Sequence, residues 1–375
     1  MSFFKKTLLF LFFYFYISNI FIQNAYAIIE SGDTLSSSNY EVRAFDISPQ
    51  STFPRSVTFS NDGKKMFTTD NLGSHRKVDE YTLSVPFNVS SAVYIDSFPV
   101  GSEDTQPFEV KFNNDGSKMF IAGRSNKTVY EYSLSTNFDV SEASYTGNSI
   151  DVSSKVTDDL FGLAFSTDGK MMFVTNGTGC SSNCLHQYLL NESFDLSSGA
   201  TFIRSADLET LSGGTQLNGI TFNPSGTRMF LIESQGNNVN QYTLSEGFNI
   251  STASFDGGAV RGPDPQSVAL SSDGLRMFTT GKDDDDVKEH HLPCPFNLFA
   301  GKCEKITENS DRAGIAEAQL ELAKRTINIS TNSVLNRLKW IKRNEDKQNL
   351  SNQNIKLNFS NTMLSSLNQL PISSF

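Results

Sequence analysis

Nine polar residues have the types and spacing to do chemistry: Arg55, Gln106, Glu109, Asp158, Asp159, Gln216, Asn218, Asp264 and Gln266. They stand at corresponding places in a repeated segment, so a fold built from that repeat should gather them. A ring of carboxylates and amides is hard-oxygen chemistry and suits calcium. Asp159 and Asp264 are the candidate calcium ligands. Paired acids can also cleave glycosidic bonds, and Glu109, Asp159 and Asp264 would carry that reaction. A hydrated channel lip without function uses the same residue types. The run from Asp283 to Asp286 is a second candidate cation site, or a solvated loop of like charges.

Other chemistry is thin. The histidines are His75, His186, His290 and His291, with no spacing that suits a shared metal, and they read as solvated surface groups. There is no Gly-x-Ser-x-Gly elbow and no phosphate-cradling loop. No catalytic residue is assigned on sequence grounds, and no cofactor is expected beyond calcium.

The elements that must position the nine residues come from one sentence written five times. It runs Phe59 to Phe67, Phe112 to Phe120, Phe165 to Phe173, Phe222 to Phe230 and Leu270 to Phe278. Its glycines are Gly63, Gly116, Gly169, Gly226 and Gly274, with steps of 53, 53, 57 and 48 residues. A period near 50 with hairpin turns marks the blades of a β-propeller. In the second repeat, Phe108 to Asn113 alternates, Asn114-Asp115-Gly116 turns the chain, and Lys118 to Ala122 returns. Val129 to Leu134 is a third strand by its period of two. Phe138-Asp139-Val140-Ser141 then turns the chain, and Ala143 to Ile150 makes a fourth. Aromatics at fixed phase read as packing between blades.

The fifth repeat has three strands, near Gln266–Ser271, Arg276–Thr280 and Asp286–Leu292, and then meets Pro293-Cys294-Pro295. The N-terminus offers a spare strand, Asn39 to Ile47. Pairing the two removes two exposed edges. The expectation is an all-β, five-bladed propeller of four-stranded blades over 28–303, followed by a helical and then partly disordered tail over 304–375. The nine polar residues would surround one mouth of the central channel.

Residues 1–27 read as an export signal: Lys5 and Lys6, an apolar stretch from Thr7 to Ile22, and Ala25-Tyr26-Ala27 as the cleavage site. The alternative is an uncleaved anchor holding the propeller at the inner membrane. Export places the chain in the periplasm, at the outer membrane surface or outside the cell. Cys180, Cys184, Cys294 and Cys303 fit an oxidising compartment. Four cysteines allow three pairings, of which the two local loops are the simplest, each contributing roughly 2–3 kcal/mol. A metal site lacks the Cys-x-x-Cys spacing it would need. The chain carries a net charge of −10. Residues 28–303 hold 19 Lys and Arg against 34 Asp and Glu, whereas the tail is net basic. That acidity argues against nucleic acid and is compatible with cations or basic partners.

The stretch Ser166 to Asn176 resembles the YVTN-type propeller repeat, matching its namesake tetrapeptide at Phe173-Val174-Thr175-Asn176. The other repeats depart there, with Phe67-Thr-Thr-Asp, Phe120-Ile-Ala-Gly, Phe230-Leu-Ile-Glu and Phe278-Thr-Thr-Gly. The resemblance, over roughly Asn39 to Leu292, implies a propeller. Its members span lactonase-like enzymes, surface-layer proteins and binding modules, so it implies no single activity. Ser330 to Arg343 and Asn349 to Ile355 resemble linkers that precede autotransporter barrels, which implies a passenger shown at the cell surface, although the barrel's strands are missing. Residues 333–347 read as a basic amphipathic helix able to meet a membrane or a partner. Three functions follow: an exported binding module with a protein or glycan partner at the cell surface, a calcium-dependent hydrolase, or an outer-membrane passenger.

Overall fold

The computed structural model describes residues 41–71, 76–177, 185–208, 216–233, 237–260, 264–281 and 285–299. Residues 1–27, expected to be an export signal, the tail over 304–375, His75, Cys180, Cys184, Cys303, Asp283 and Asp284 lie outside the described residues. Among those described, no helix is long and apolar enough to cross a membrane.

Five antiparallel sheets of four strands each make a five-bladed β-propeller. Blade two shows how one repeat becomes one sheet. Its strands are Pro107–Phe112, Lys118–Gly123, Thr128–Leu134 and Ala143–Asp151, paired in that order. Gly116 takes φ +75°, and its N–H donates to the Asn113 carbonyl at 3.1 Å. Glycine reaches that backbone region without steric cost, which sets the hairpin. The connector after the third strand then folds back on the turn. Phe138, itself at φ +57°, donates its N–H to the Gly116 carbonyl at 2.9 Å, and its ring fills the space where a Gly116 Cβ would stand. Phe87, Phe194, Phe248 and Phe296 cover Gly63, Gly169, Gly226 and Gly274 in the same way.

The core lies between blades. The middle Phe of each second strand packs on the ring ending the next blade's first strand. Centroids are 4.4 Å apart for Phe67–Phe112, 4.8 Å for Phe120–Phe165, 4.6 Å for Phe173–Phe222 and 4.3 Å for Phe278–Phe59. Blade five supplies Leu270 instead, and there Phe230 packs within an aliphatic cluster.

One position of every third strand ties its blade to the next. Glu80 accepts from Val140 N at 2.9 Å, Glu131 from Leu196 N at 2.9 Å and Glu289 from Val89 N at 3.2 Å. Gln187 donates to the Phe248 carbonyl at 2.9 Å, and Gln241 accepts from Leu298 N at 2.7 Å. Where that residue is a glutamate, a cation of the second strand, two residues from the one directly opposite, lies beside it. Lys65 pairs with Glu80, Lys118 with Glu131 and Arg276 with Glu289, whereas neutral Gln187 meets the Met171 sulfur at 3.5 Å. A buried carboxylate without a cation is costly, so each third-strand glutamate has a cation beside it, and in blade four, where that residue is Gln241, Arg228 meets Asp256 instead.

The ring closes as the sequence predicts. The N-terminal strand Glu41–Asp46 pairs antiparallel with Asp286–His291, the third strand of blade five, setting Phe45 opposite Val287. Blade five is therefore built from both ends of the ordered ring.

Candidate functional site at the upper mouth

The innermost strands begin at one mouth of the ring, here the upper, and end at the other. They are Pro54–Phe59, Pro107–Phe112, Leu160–Phe165, Leu217–Phe222 and Pro265–Leu270. Their second and third residues set the chemistry of the upper half. The second residues are Arg55, Phe108, Phe161, Asn218 and Gln266. The third are Ser56, Glu109, Gly162, Gly219 and Ser267. A Cβ at Gly219 would stand 2.6 Å from Ser267 Cα, so glycine permits the closest approach of blades four and five.

Arg55 is the hub. It is buried, donates from Nε to Asn71 Oδ1 at 3.1 Å and from Nη1 to Gln266 Oε1 at 2.6 Å. Its guanidinium lies 4.2 Å from the Phe53 ring centre and 5.1 Å from that of Phe108. Burial first, and the like charge of Arg124 second, bring its pKa down to about 10, so it stays charged at neutral pH. Gln266 Nε2 in turn donates to Asp264 Oδ1 at 2.8 Å. Across the mouth, Arg124 Nη2 meets Asp159 Oδ2 at 2.8 Å, with side-chain exposures of 27% and 26%. The Arg124 guanidinium sits 5.0 Å from the Phe161 ring centre, and Phe161 packs against Phe108, the rings tilted by 40° with centres 4.5 Å apart. Two guanidiniums thus cap one layer of phenyl rings.

The other candidates fall around this layer. Gln216 donates to Asn218 Oδ1 at 3.4 Å, and Asn218 is fully buried with its Nδ2 unpartnered. Gln106 and Asp158 are exposed on the lip. Asp264 holds its turn at φ +43°. Asp285 and Asp286 of the acidic run are described, and Asp286 is taken up in the closing strand pair.

Glu109 lies deeper, on the axis. Its side chain is fully buried, and Oε1 accepts from Ser56 Oγ at 2.9 Å, Ser267 Oγ at 3.1 Å and Lys111 Nζ at 2.7 Å. Those serines belong to blades one and five, so one carboxylate joins three blades. Each serine passes the contact on, accepting from Val110 N at 3.2 Å or Val57 N at 3.3 Å. Oε2 has no partner, and burial pushes the Glu109 carboxyl upward against the opposing pull of Lys111. Lys111 was not legible as part of the site, because nothing in the repeat marks it as axial.

Among the described residues, no group of three or more His, Cys, Asp or Glu is placed to hold a metal. The two carboxylates expected to bind calcium already face N–H donors, Arg124 for Asp159 and Gln266 for Asp264. Two histidines correct the sequence reading: His186 and His290 are buried, not solvated. They lie on the faces of third strands that the neighbouring strands cover, with Ser205 Oγ 2.8 Å from His186 Nδ1 and Thr279 Oγ1 2.9 Å from His290 Nε2.

No family model matches the sequence, and no curated protein matches it. The YVTN-type resemblance at Phe173–Asn176 therefore stands on those residues alone. Solved structures similar to the chain include a functionally unknown protein from Desulfotomaculum acetoxidans DSM 771, 13% identical, with a TM-score of 0.38. That match covers 61% of this chain and 62% of the other, less than two thirds of its length. A Lactobacillus plantarum protein is 15% identical over 57% of each chain, with a TM-score of 0.37. The Pseudomonas aeruginosa periplasmic gluconolactonase PpgL is 16% identical over 56% of this chain and 55% of that one, with a TM-score of 0.37.

Proposed function

We propose that the protein is an exported binding module whose upper mouth takes a glycan at the cell surface. The observation that carries this reading is the Arg124–Asp159 pair on the face of Phe161. A donor fork and an acceptor stand side by side, both about one quarter exposed, over an aromatic ring. Vicinal sugar hydroxyls need that pairing, and the C–H face of a sugar packs on a phenyl ring. Across the mouth, Arg55, Gln266 and Asn71 are locked by one another, so binding would order few side chains anew. Protein partners and display through the 333–347 segment belong to the same reading of an exported propeller.

A glycan array probed with the whole chain tests it. A hit should weaken at least about tenfold in Arg124→Gln and in Asp159→Asn, the loss expected when one charge-assisted contact of about 1.5–3 kcal/mol is removed. Absence of any glycan hit at millimolar ligand, or hits indifferent to both substitutions, would overturn the proposal.

A calcium-dependent hydrolase is the second reading, favoured by the partly open Asp159 carboxylate. Arg124 stands against it, because calcium would have to displace a guanidinium already in place. Calcium-dependent turnover lost in Asp159→Asn would replace the binding module with this enzyme.

A further inference from the structure

The lower mouth of the ring opens into a bowl of about 290 Å³. It lies at the opposite end of the innermost strands from the site above. Its wall is made by the half-buried side chains Phe59, Phe112, Phe165, Phe222 and Leu270. One residue deeper, Ala164 and Ala269 leave space between Thr58 and Thr221, and Lys111 supplies the single cation.

The charge of the bowl is concentrated on that lysine. Rim hydroxyls are already spent: Ser60, Ser166 and Ser271 donate to Asp62, Asp168 and Asp273 at 2.7, 2.5 and 2.5 Å. Rim amides bridge to the next blade, Asn61 to the Asn114 carbonyl at 2.5 Å and Asn114 to the Thr167 carbonyl at 2.8 Å. Lys111 has three N–H donors, and among the described residues Glu109 is its one acceptor, at 2.7 Å. Its side chain is only 13% exposed. An ammonium on a floor of alanines and threonines, with donors to spare, asks for an acceptor from the ligand.

We propose that the bowl binds a small molecule with an apolar body and one terminal carboxylate. The carboxylate meets Lys111, and the body lies against the phenylalanines. The volume is at the lower edge of small-molecule sites, which begin near about 300 Å³, so one short ligand fits. A single negative charge suits it, because the Glu109 carboxylate behind the lysine would repel a dianion such as a phosphate monoester. A neutral alcohol would lose the charge-assisted hydrogen bond, the stronger kind. Aryl acids and short fatty acids share this chemistry.

Calorimetric titration of the full chain decides it. Phenylacetate and octanoate represent the two sources, and 2-phenylethanol and octanol are the matched alcohols. At least one acid should bind about tenfold or more tightly than its alcohol, equal to about 1.4 kcal/mol, and the tighter acid identifies the body. Thr221→Phe fills the bowl without touching Lys111 or Glu109 and should weaken the acid by at least about tenfold. Lys111→Met leaves a buried carboxylate alone and could unfold the chain, so the double variant Glu109→Gln with Lys111→Met is used beside it. That pair should abolish the preference for acid over alcohol. Equal affinity for acid and alcohol, unchanged binding in Thr221→Phe, or no heat from any of the four at millimolar concentration would overturn the proposal. Because Arg124, Asp159 and Phe161 are unchanged in these variants, the outcome is independent of the glycan reading.

Discussion

His186 shows how one side chain writes a pH dependence into the fold. Its ring is buried beside Phe202 and Ser205. Burial first, and the Lys155 charge second, bring its pKa down to about 4 from 6.5. Between those values the unfolded chain holds a proton that the folded chain refuses, so stability falls as the pH drops through this window. The loss should approach the order of 3 kcal/mol at pH 4, by the conversion of 1.36 kcal/mol per pKa step. Glu109 runs the other way, since its raised pKa adds stability as the pH falls toward its unfolded value. The turn acids Asp115 and Asp168 are lowered by their hydrogen bonds to Ser117 and Ser166, so their losses come only below 3.8. Urea midpoints of parent and His186→Gln, compared at pH 7 and 4.5, isolate the histidine. The substituted chain should decline less, and parallel decline would remove the histidine as cause. The sequence showed these histidines on strands but not their burial, because alternation says that residues share a face, not which face a neighbour covers.

At the scale of the element, the connector after each third strand is a latch. The sequence marked it as a turn, from Phe-Asn or Phe-Asp followed by an aliphatic residue and Ser, and assigned its aromatics to packing between blades. Its grip on the preceding hairpin was not legible, since phenylalanine at positive φ is uncommon and only the glycine beneath makes room for the ring. In blade three, Phe194 at φ +51° lies on Gly169 at φ +69°. Gly169→Ala should destabilise the protein by about 2–3 kcal/mol, from the positive φ and from displacing the ring. A thermal melt or denaturant curve measures it, and a loss below about 0.5 kcal/mol, the usual surface range, would show that the latch is slack. The candidate site was half visible for a related reason. Periodicity located the strands that carry Arg55, Glu109, Asn218 and Gln266, yet their depth depends on how near the blades approach the axis. The alternation of Ser56, Glu109, Gly162, Gly219 and Ser267 decides that, and it emerges only when five strands are set side by side.

For the whole molecule, counting strands was enough to foresee closure: a spare strand at one end and a missing one at the other. The structure makes that count physical, with Ala44 opposite Lys288 and Arg43 bonded to Glu289 at 2.8 Å. Glu289 also holds Val89 of blade one, so the closing strand and the first blade meet on one carboxylate. Removing residues 28–46 should bare the Asp286–His291 edge and leave Glu289 short of a cation. The expected result is a lower melting temperature together with concentration-dependent association on light scattering, as open strand edges pair with one another. A monomer melting where the parent does would mean that the seam contributes nothing. The closing pair also dictates an order of events. A ribosome delivers the N-terminal end first, yet residues 41–46 find their partner only once 286–291 have emerged, a sequence separation of some 240 residues. The opening segment must wait, solvated and unpaired, through the making of every intervening blade. Maturation is thus timed by the last repeat, and a chain cut short before it would leave its own beginning exposed as a signal that synthesis was never completed.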